Sequence, residues 1–271
     1  MDKNPVDKHQ IVTSNSWASL RRHTDARIGL GRSGISQPTA PQLAFQQAHA
    51  RARDAVHIPL DVKQLTSELM AAGLQGLLLH SQAEDRATYL QRPDKGRRLD
   101  ADSASLLKQV RAQQPASDAT IVIADGLSST AVQRHAARVA AEVDQRLAAE
   151  GLTRSSVCIV QQGRVAVGDE VGELLDSRVV ILLVGERPGL SSPDSLGIYY
   201  TYNPRVGLTD AARNCISNIR PAGISPQDAA ERLLWLVRES LRRKLSGVEL
   251  KDESGDAEAL EGDGRRNFLL E

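Results

Sequence analysis

The run Val179-Val180-Ile181-Leu182-Leu183-Val184 offers no polar residue to water on either side. It is far shorter than the roughly 20 apolar residues needed to cross a bilayer, and it has the length of a strand. A strand with no apolar/polar alternation has both faces covered, the situation of strands in parallel sheets. Two runs of the same kind come earlier, Thr120-Ile121-Val122-Ile123-Ala124 and Val157-Cys158-Ile159-Val160. Helical patterns separate them: one capped by Ser128, running to about residue 150 and closed by Gly151, and a short one over residues 170–175. Strands alternating with helices predict an α/β fold, a Rossmann-like open and mainly parallel sheet with flanking helices. Leu196 to Tyr202 adds a strand. A final helix spans residues 226–245, with Ala229, Leu233, Leu236, Val237 and Leu241 on one side, Ser225 as its cap and Gly247 at its end.

Four regions follow along the chain. Residues 1–40 form an irregular basic segment broken by Gly29, Gly31, Gly34 and Pro38. Residues 41–99 form a small helical region: a helix over 42–56, a shorter one capped by Asp61 that closes at Gly73, and Leu77-Leu78-Leu79 as a strand or an extended connector. Residues 100–247 carry the sheet, opening with a helix over 102–113. Residues 248–271 are an acidic tail, expected to be disordered.

Charge is balanced overall, 34 basic against 34 acidic side chains, but unevenly distributed. Residues 1–60 hold eight Lys/Arg against four Asp/Glu, and residues 248–271 hold three against eight. The arginines of the first segment lack interleaved aromatics, and aromatic residues are only 3% of the chain, which argues against nucleic-acid binding. Cys158 and Cys215 are the only cysteines, too few for a disulfide framework or a Cys-rich zinc site. The polar, Pro-containing start resembles no secretory signal, and no run has transmembrane length. A soluble, intracellular protein with no membrane contact is expected.

Gly29-Leu30-Gly31-Arg32-Ser33-Gly34 matches the dinucleotide fingerprint G-x-G-x-x-G. That motif works only between a buried strand and a helix N-terminus, where pyrophosphate meets helical N–H groups. The residues before it, Arg21 to Arg27 in sequence, are too polar for a buried strand, and Ile35-Ser36-Gln37-Pro38 cannot start the helix. A basic loop is the expectation, and a free-standing NAD-binding protein is the weaker alternative. The chain has no G-x-x-x-x-G-K-[ST], G-x-S-x-G or H-E-x-x-H, and its six histidines share no metal-ligand spacing. No catalytic set and no metal site are predicted within this chain.

Open α/β sheets bind ligands outside the carboxyl ends of their strands. Glu186 stands where the strongest strand leaves through Gly185-Glu186-Arg187-Pro188-Gly189. It could accept hydrogen bonds from a ligand, pair with Arg187 or Arg205, or face water. Cys215 is small and polarizable, suited to a flat macrocycle or to ordinary core packing. Val165, in Gln162-Gly163-Arg164-Val165, stands at another strand end and is unremarkable alone.

Taken together, Arg92-Pro93-Asp94-Lys95-Gly96-Arg97-Arg98-Leu99, Ala124-Asp125-Gly126-Leu127-Ser128, Gly163-Arg164-Val165, residues 179–189 and Cys215-Ile216-Ser217-Asn218-Ile219 resemble the ethanolamine ammonia-lyase small (light) subunit. The resemblance covers roughly residues 15–247. It implies a subunit of an adenosylcobalamin-dependent enzyme that converts ethanolamine to acetaldehyde and ammonia. In that family a barrel-shaped large subunit holds substrate, a Rossmann-like small subunit closes over the cobalamin, and six of each form a heterododecamer. The family's cobalamin contacts map onto Val165, Glu186 and Cys215. The chain lacks D-x-H-x-x-G, compatible with the base-on cofactor of the family. A cytoplasmic location is implied, and some members enter bacterial microcompartments through an amphipathic N-terminal segment that this polar start does not resemble.

Overall fold

The computed structural model describes residues 11–252; the acidic tail from residue 253 onward and the first ten residues lie outside the described residues. Six strands form one sheet: β1 (Gly76–His80), β2 (Ala119–Ala124), β3 (Val157–Gln161), β4 (Val179–Gly185), β5 (Leu196–Tyr202) and β6 (Arg213–Ile219). Their order is β1-β3-β2-β4-β5-β6. The first four are mutually parallel, and β5 and β6 add an antiparallel pair at one edge. The Leu77–Leu79 tract, which the sequence leaves between strand and connector, is thus the opposite edge strand. It comes from the stretch grouped by sequence with the small helical region.

Seven α-helices surround the sheet among the described residues: α1 (Thr39–His57), α2 (Val62–Ala71), α3 (Arg86–Gln91), α4 (Ala101–Gln113), α5 (Ser129–Ala149), α6 (Val167–Leu175) and α7 (Pro226–Arg243). The anticipated caps are in place, with Asp61 accepting from Gln64 N–H, Ser128 from Ala131 and Ser225 from Asp228. At the other end of α7 the outcome differs. The helix stops at Arg243, and Lys244 takes the left-handed conformation at φ 59°. Gly247 lies beyond, in a separate turn where its N–H donates to Asn214 Oδ1 at 2.7 Å. That side-chain bond holds Gly247 on β6 rather than on the helix.

Helices α2, α5 and α7 cover one sheet face, burying Ile121, Ile123, Ile159, Ile181, Leu183, Ile198 and Ile216 among others. Helices α4 and α6 cover the other, over Val122, Val160, Val180, Leu182 and Val184. All seven residues of β4 are buried, because both layers meet on it. Helix α6 comes unusually close: a Cβ on Gly172 would overlap the Val180 and Pro204 side chains. It begins at Val167, three residues before the sequence places it, because Val167 and Gly168 already pack inward.

Coverage on this second face thins past β4, where Thr201 of β5 and Arg213 of β6 stay buried beside α6. Further along these two strands, Cys215 and Ser217 of β6 are exposed and Tyr199 of β5 is half-buried. The opposite sides of the same strands are sealed by Ile198, Ile216 and Ile219.

The Gly29–Gly34 segment has neither an incoming strand nor an outgoing helix. Arg32 exchanges backbone hydrogen bonds with Thr13 at 2.7 and 3.0 Å, and the next helix starts only at Thr39. Pyrophosphate would meet no row of helical N–H groups there.

Two loops cross tightly at the top of β2 and β4. Gly126 has φ 58°, a conformation that suits glycine. Any Cβ on it would run into Gly185, and a Cβ on Gly185 would run into the carbonyl oxygens of Ser128 and Asp125. Leu127 N–H donates across the junction to Gly185 O at 2.9 Å. Because the obstacles are backbone atoms, Gly185→Ala is expected to cost about 3 kcal/mol, the range of forced overpacking. Urea unfolding of the purified chain measures it, and an unchanged midpoint would show that the crossing is slack.

Candidate functional site

The carboxyl ends of β2, β3 and β4 meet at the crossing of these loops. Sheet order reverses here: the connection from β2 runs to β3, while β4, on β2's other side, is followed by the antiparallel pair. Such a switch point leaves a crevice between strand ends. A groove of about 440 Å³ occupies it, with Leu127, Arg164, Val165, Glu186 and Tyr199 in its walls. A second groove, about 520 Å³, lies beside it and shares Arg164 and Val165 as the dividing wall. Together they form a trough running from the strand ends toward the uncovered face of β5 and β6.

Val165 is half-buried on the dividing wall, packed from beneath by the core under α4 and α6. Its position is set by the turn after β3. Asp125 Oδ1 accepts from Gly163 N–H at 3.0 Å, and Arg164 N–H donates to Gly96 O at 2.7 Å. Gly96 belongs to the Arg92–Leu99 tract. Its lack of a side chain matters, since a Cβ would stand 3.0 Å from Arg164 Cγ and 3.1 Å from the Tyr89 ring. The same tract is fastened to α6 by Arg98, whose Nε and Nη2 each meet the Glu170 carboxylate at 2.9 Å, while Leu99 N–H donates to that carboxylate at 2.7 Å.

Glu186 neither pairs with Arg187 or Arg205 nor simply faces water. Its carboxylate lies across the ends of β5 and β6, accepting from Ser195 Oγ at 2.5 Å, Ser217 Oγ at 2.6 Å and Asn218 N–H at 3.2 Å. Gly197 leaves room for it, because a Cβ there would be 2.9 Å from Oε1. Three donors fix the carboxylate while unused lone pairs remain for a ligand.

Cys215 sits opposite Tyr199 in the β5–β6 ladder. Although the residue is open to solvent, crowding by protein atoms raises the thiol above its usual range; Tyr199 opposes the shift and Glu186 adds to it. Burial likewise pushes Tyr199 up to about 12. Both groups are therefore neutral near pH 7, a weakly polar surface rather than a nucleophile. Val165 and Glu186 share one groove, and Cys215 joins them through Tyr199.

Beneath the groove lies a cluster that the sequence does not single out. Arg86 and Arg164 lie against the Tyr89 ring, with guanidinium carbons 4.5 and 4.4 Å from its centroid, a cation–π arrangement. Arg86 Nη1 is 3.8 Å from the buried Asp125 carboxylate. Further out, Arg213 forms a buried ion pair with Asp169. Neither Tyr89 nor Ser195 and Ser217 stands in a pattern that sets it apart from ordinary turn and strand residues.

With this geometry in view, comparison with known proteins decides the family. Residues 14–251 match the model of the ethanolamine ammonia-lyase light chain (EutC). The chain belongs to this family. Curated relatives named ethanolamine ammonia-lyase small subunit include those of Ralstonia nicotianae, 59% identical over 98% of each chain, and Azotobacter vinelandii, 58% identical over 96% of this chain and 97% of the other. One from Pseudomonas fluorescens is 54% identical over 98% of each. Members of this light-chain family are subunits of a heteromeric lyase. Among the described residues no helix is long and apolar enough to cross a membrane.

Burial pushes the Asp125 carboxyl up to about 6, against the opposing pull of Arg86 and of backbone N–H donors. Between about pH 4 and pH 6 the folded chain therefore binds more protons than the unfolded one, so stability falls as pH rises through that window. Asp125→Asn keeps an acceptor for Gly163 N–H and is expected to flatten this slope. Urea midpoints at several pH values measure it; equal slopes in the two proteins would place the Asp125 proton elsewhere.

Proposed function

We propose that this chain is the small subunit of an adenosylcobalamin-dependent ethanolamine ammonia-lyase and forms one wall of the cofactor site at the interface with the large subunit. The observation that carries the reading is the trough at the strand ends, with Val165 on its dividing wall, Glu186 at its rim and Cys215 on the adjoining open strand face.

The residues present fit such a group. Cobalamin is a broad macrocycle fringed with neutral amide arms, too large for either groove alone, and a clamp between two subunits buries it better than one cleft. Val165 would give apolar contact at its edge. Glu186, already immobilised by Ser195, Ser217 and Asn218, would accept from amide N–H groups. Cys215 and Tyr199 would supply a neutral, polarizable surface. The chemistry supplied by bound adenosylcobalamin is homolysis of the cobalt–carbon bond. This chain's share is to orient the cofactor and exclude water from its side of the interface. Substrate and its proton transfers belong, in this reading, to the large subunit. The proposal includes the assembly of six small and six large subunits and a cytoplasmic location. Packaging into a microcompartment is a separate question, answered by whether the full chain directs a fluorescent fusion into such shells.

A free-standing NAD-binding protein and a cobalamin carrier are the competing readings. The Gly29–Gly34 segment, bound to Thr13 instead of opening a helix, speaks against the first. Ammonia-lyase relatives at more than half identity speak against the second.

Reconstitution with the large subunit tests the proposal. Acetaldehyde release from ethanolamine is expected to need both chains and adenosylcobalamin; full activity from the large subunit alone would end it. Glu186→Ala is expected to raise the cobalamin Kd of the assembly by about ten-fold, the scale of a lost charged hydrogen bond, with the KM for ethanolamine little changed. Equal cobalamin affinity in variant and parent would remove Glu186 from the site.

A further inference from the structure

Charge in the trough is not balanced. In the larger groove Arg98 is neutralised by Glu170, and Arg213 by Asp169 and Asp210. Two arginines of that groove, Arg97 and Arg164, have no carboxylate partner among the described residues. Arg97 is exposed, an ordinary place for an unpaired cation. Arg164 is not so placed. It is half-buried, its Nε is shut off from solvent without a hydrogen-bond partner, and its Nη2 is spent on Tyr89 O at 2.8 Å. Stacking on Tyr89 holds the guanidinium in place, 4.4 Å from the ring centroid, while the Arg86 guanidinium on the same ring has its own carboxylate, Asp125, 3.8 Å from Nη1. Nη1 is the part of the fork left without a protein acceptor.

A half-buried guanidinium without a counter-ion is costly to hold, and the cost falls when an anion arrives. Its planar fork suits phosphate oxygens. Arg164 borders both grooves, so an anion beside it would adjoin a group seated against Val165. The amide arms of cobalamin are neutral, whereas the phosphodiester joining its nucleotide tail is anionic. We propose that Arg164, assisted by Arg97, receives a phosphate group, and that the group is the phosphodiester of the cofactor's nucleotide tail. This rests on the cofactor reading above and adds an orientation to it: the tail lies toward the larger groove.

The test compares cobalamin with cobinamide, which lacks the phosphodiester and nucleotide, by equilibrium binding to the assembled enzyme without turnover. Arg164→Gln is expected to raise the cobalamin Kd by about ten-fold or more, while cobinamide affinity changes by less than about two-fold. Arg97→Gln, at an exposed position where folding is not at stake, is expected to give a smaller loss in the same direction. A thermal midpoint for each variant separates misfolding from lost contact. Equal losses for both ligands would assign Arg164 to the corrin ring and overturn the phosphate assignment, as would unchanged cobalamin affinity in both variants. Titration with inorganic phosphate distinguishes the source: tight binding of free phosphate that leaves cobalamin affinity untouched would make this an independent anion site and overturn the tail assignment. Failure of the parent assembly to bind either corrinoid would instead overturn the cofactor reading itself.

Discussion

The second helical layer covers the sheet through β4 and, past it, only the end of the antiparallel pair at Thr201 and Arg213, leaving the other end of that face open. That asymmetry organises the whole molecule. Burial by α5 on one side and α6 on the other encloses β2 and β4 along their whole length, and the antiparallel pair then extends the sheet past the last helix of the second layer. The outer strands keep their apolar residues on the α7 side, through Ile198, Ile216 and Ile219. Their remaining side carries Tyr199, Cys215 and Ser217. A hydrophobic layer on that side would have closed the trough.

The same asymmetry explains what was legible in the sequence. Strands buried on both faces announce themselves as unbroken apolar runs, so β2, β3 and β4 and the helices between them are readable, as are the side-chain caps at Asp61, Ser128 and Ser225. Strand β6 is not. Its stretch Asn214-Cys215-Ile216-Ser217-Asn218 has too few apolar residues to declare a strand, because half of its surface is open. Helix α3 is six residues long and buries only Tyr89, too little for a periodic signal. Gly247 is tied to β6 by a tertiary bond to Asn214, which no local pattern encodes, while α7 stops earlier, at Arg243 before a left-handed Lys244.

For the site, the sequence marks positions and leaves partnerships hidden. Glu186 is visible as an acid at a strand end, but nothing nearby in sequence reveals Ser217, 31 residues away, as its donor. The Gly163-Arg164-Val165 turn is visible as a motif, whereas its attachment to Asp125 on one side and Gly96 on the other exists only after folding. The recognisable segments of the chain are largely those that touch one another at the top of the sheet. Their joint presence in sequence reflects a shared junction in space.

Side chains in a strand alternate between faces, so pairing offset and facing direction cannot vary independently. In β6 this ties two surfaces together: with Tyr199 opposite Cys215, Ile216 points toward α7 while Cys215 and Ser217 point outward. A slip of a single position would drive serine and cysteine into the oil and strand isoleucine in water, and Glu186 would lose its hydroxyl anchor in the same movement. The energy that keeps the interior dry therefore also keeps the outer rim in registration, without any separate device to hold it.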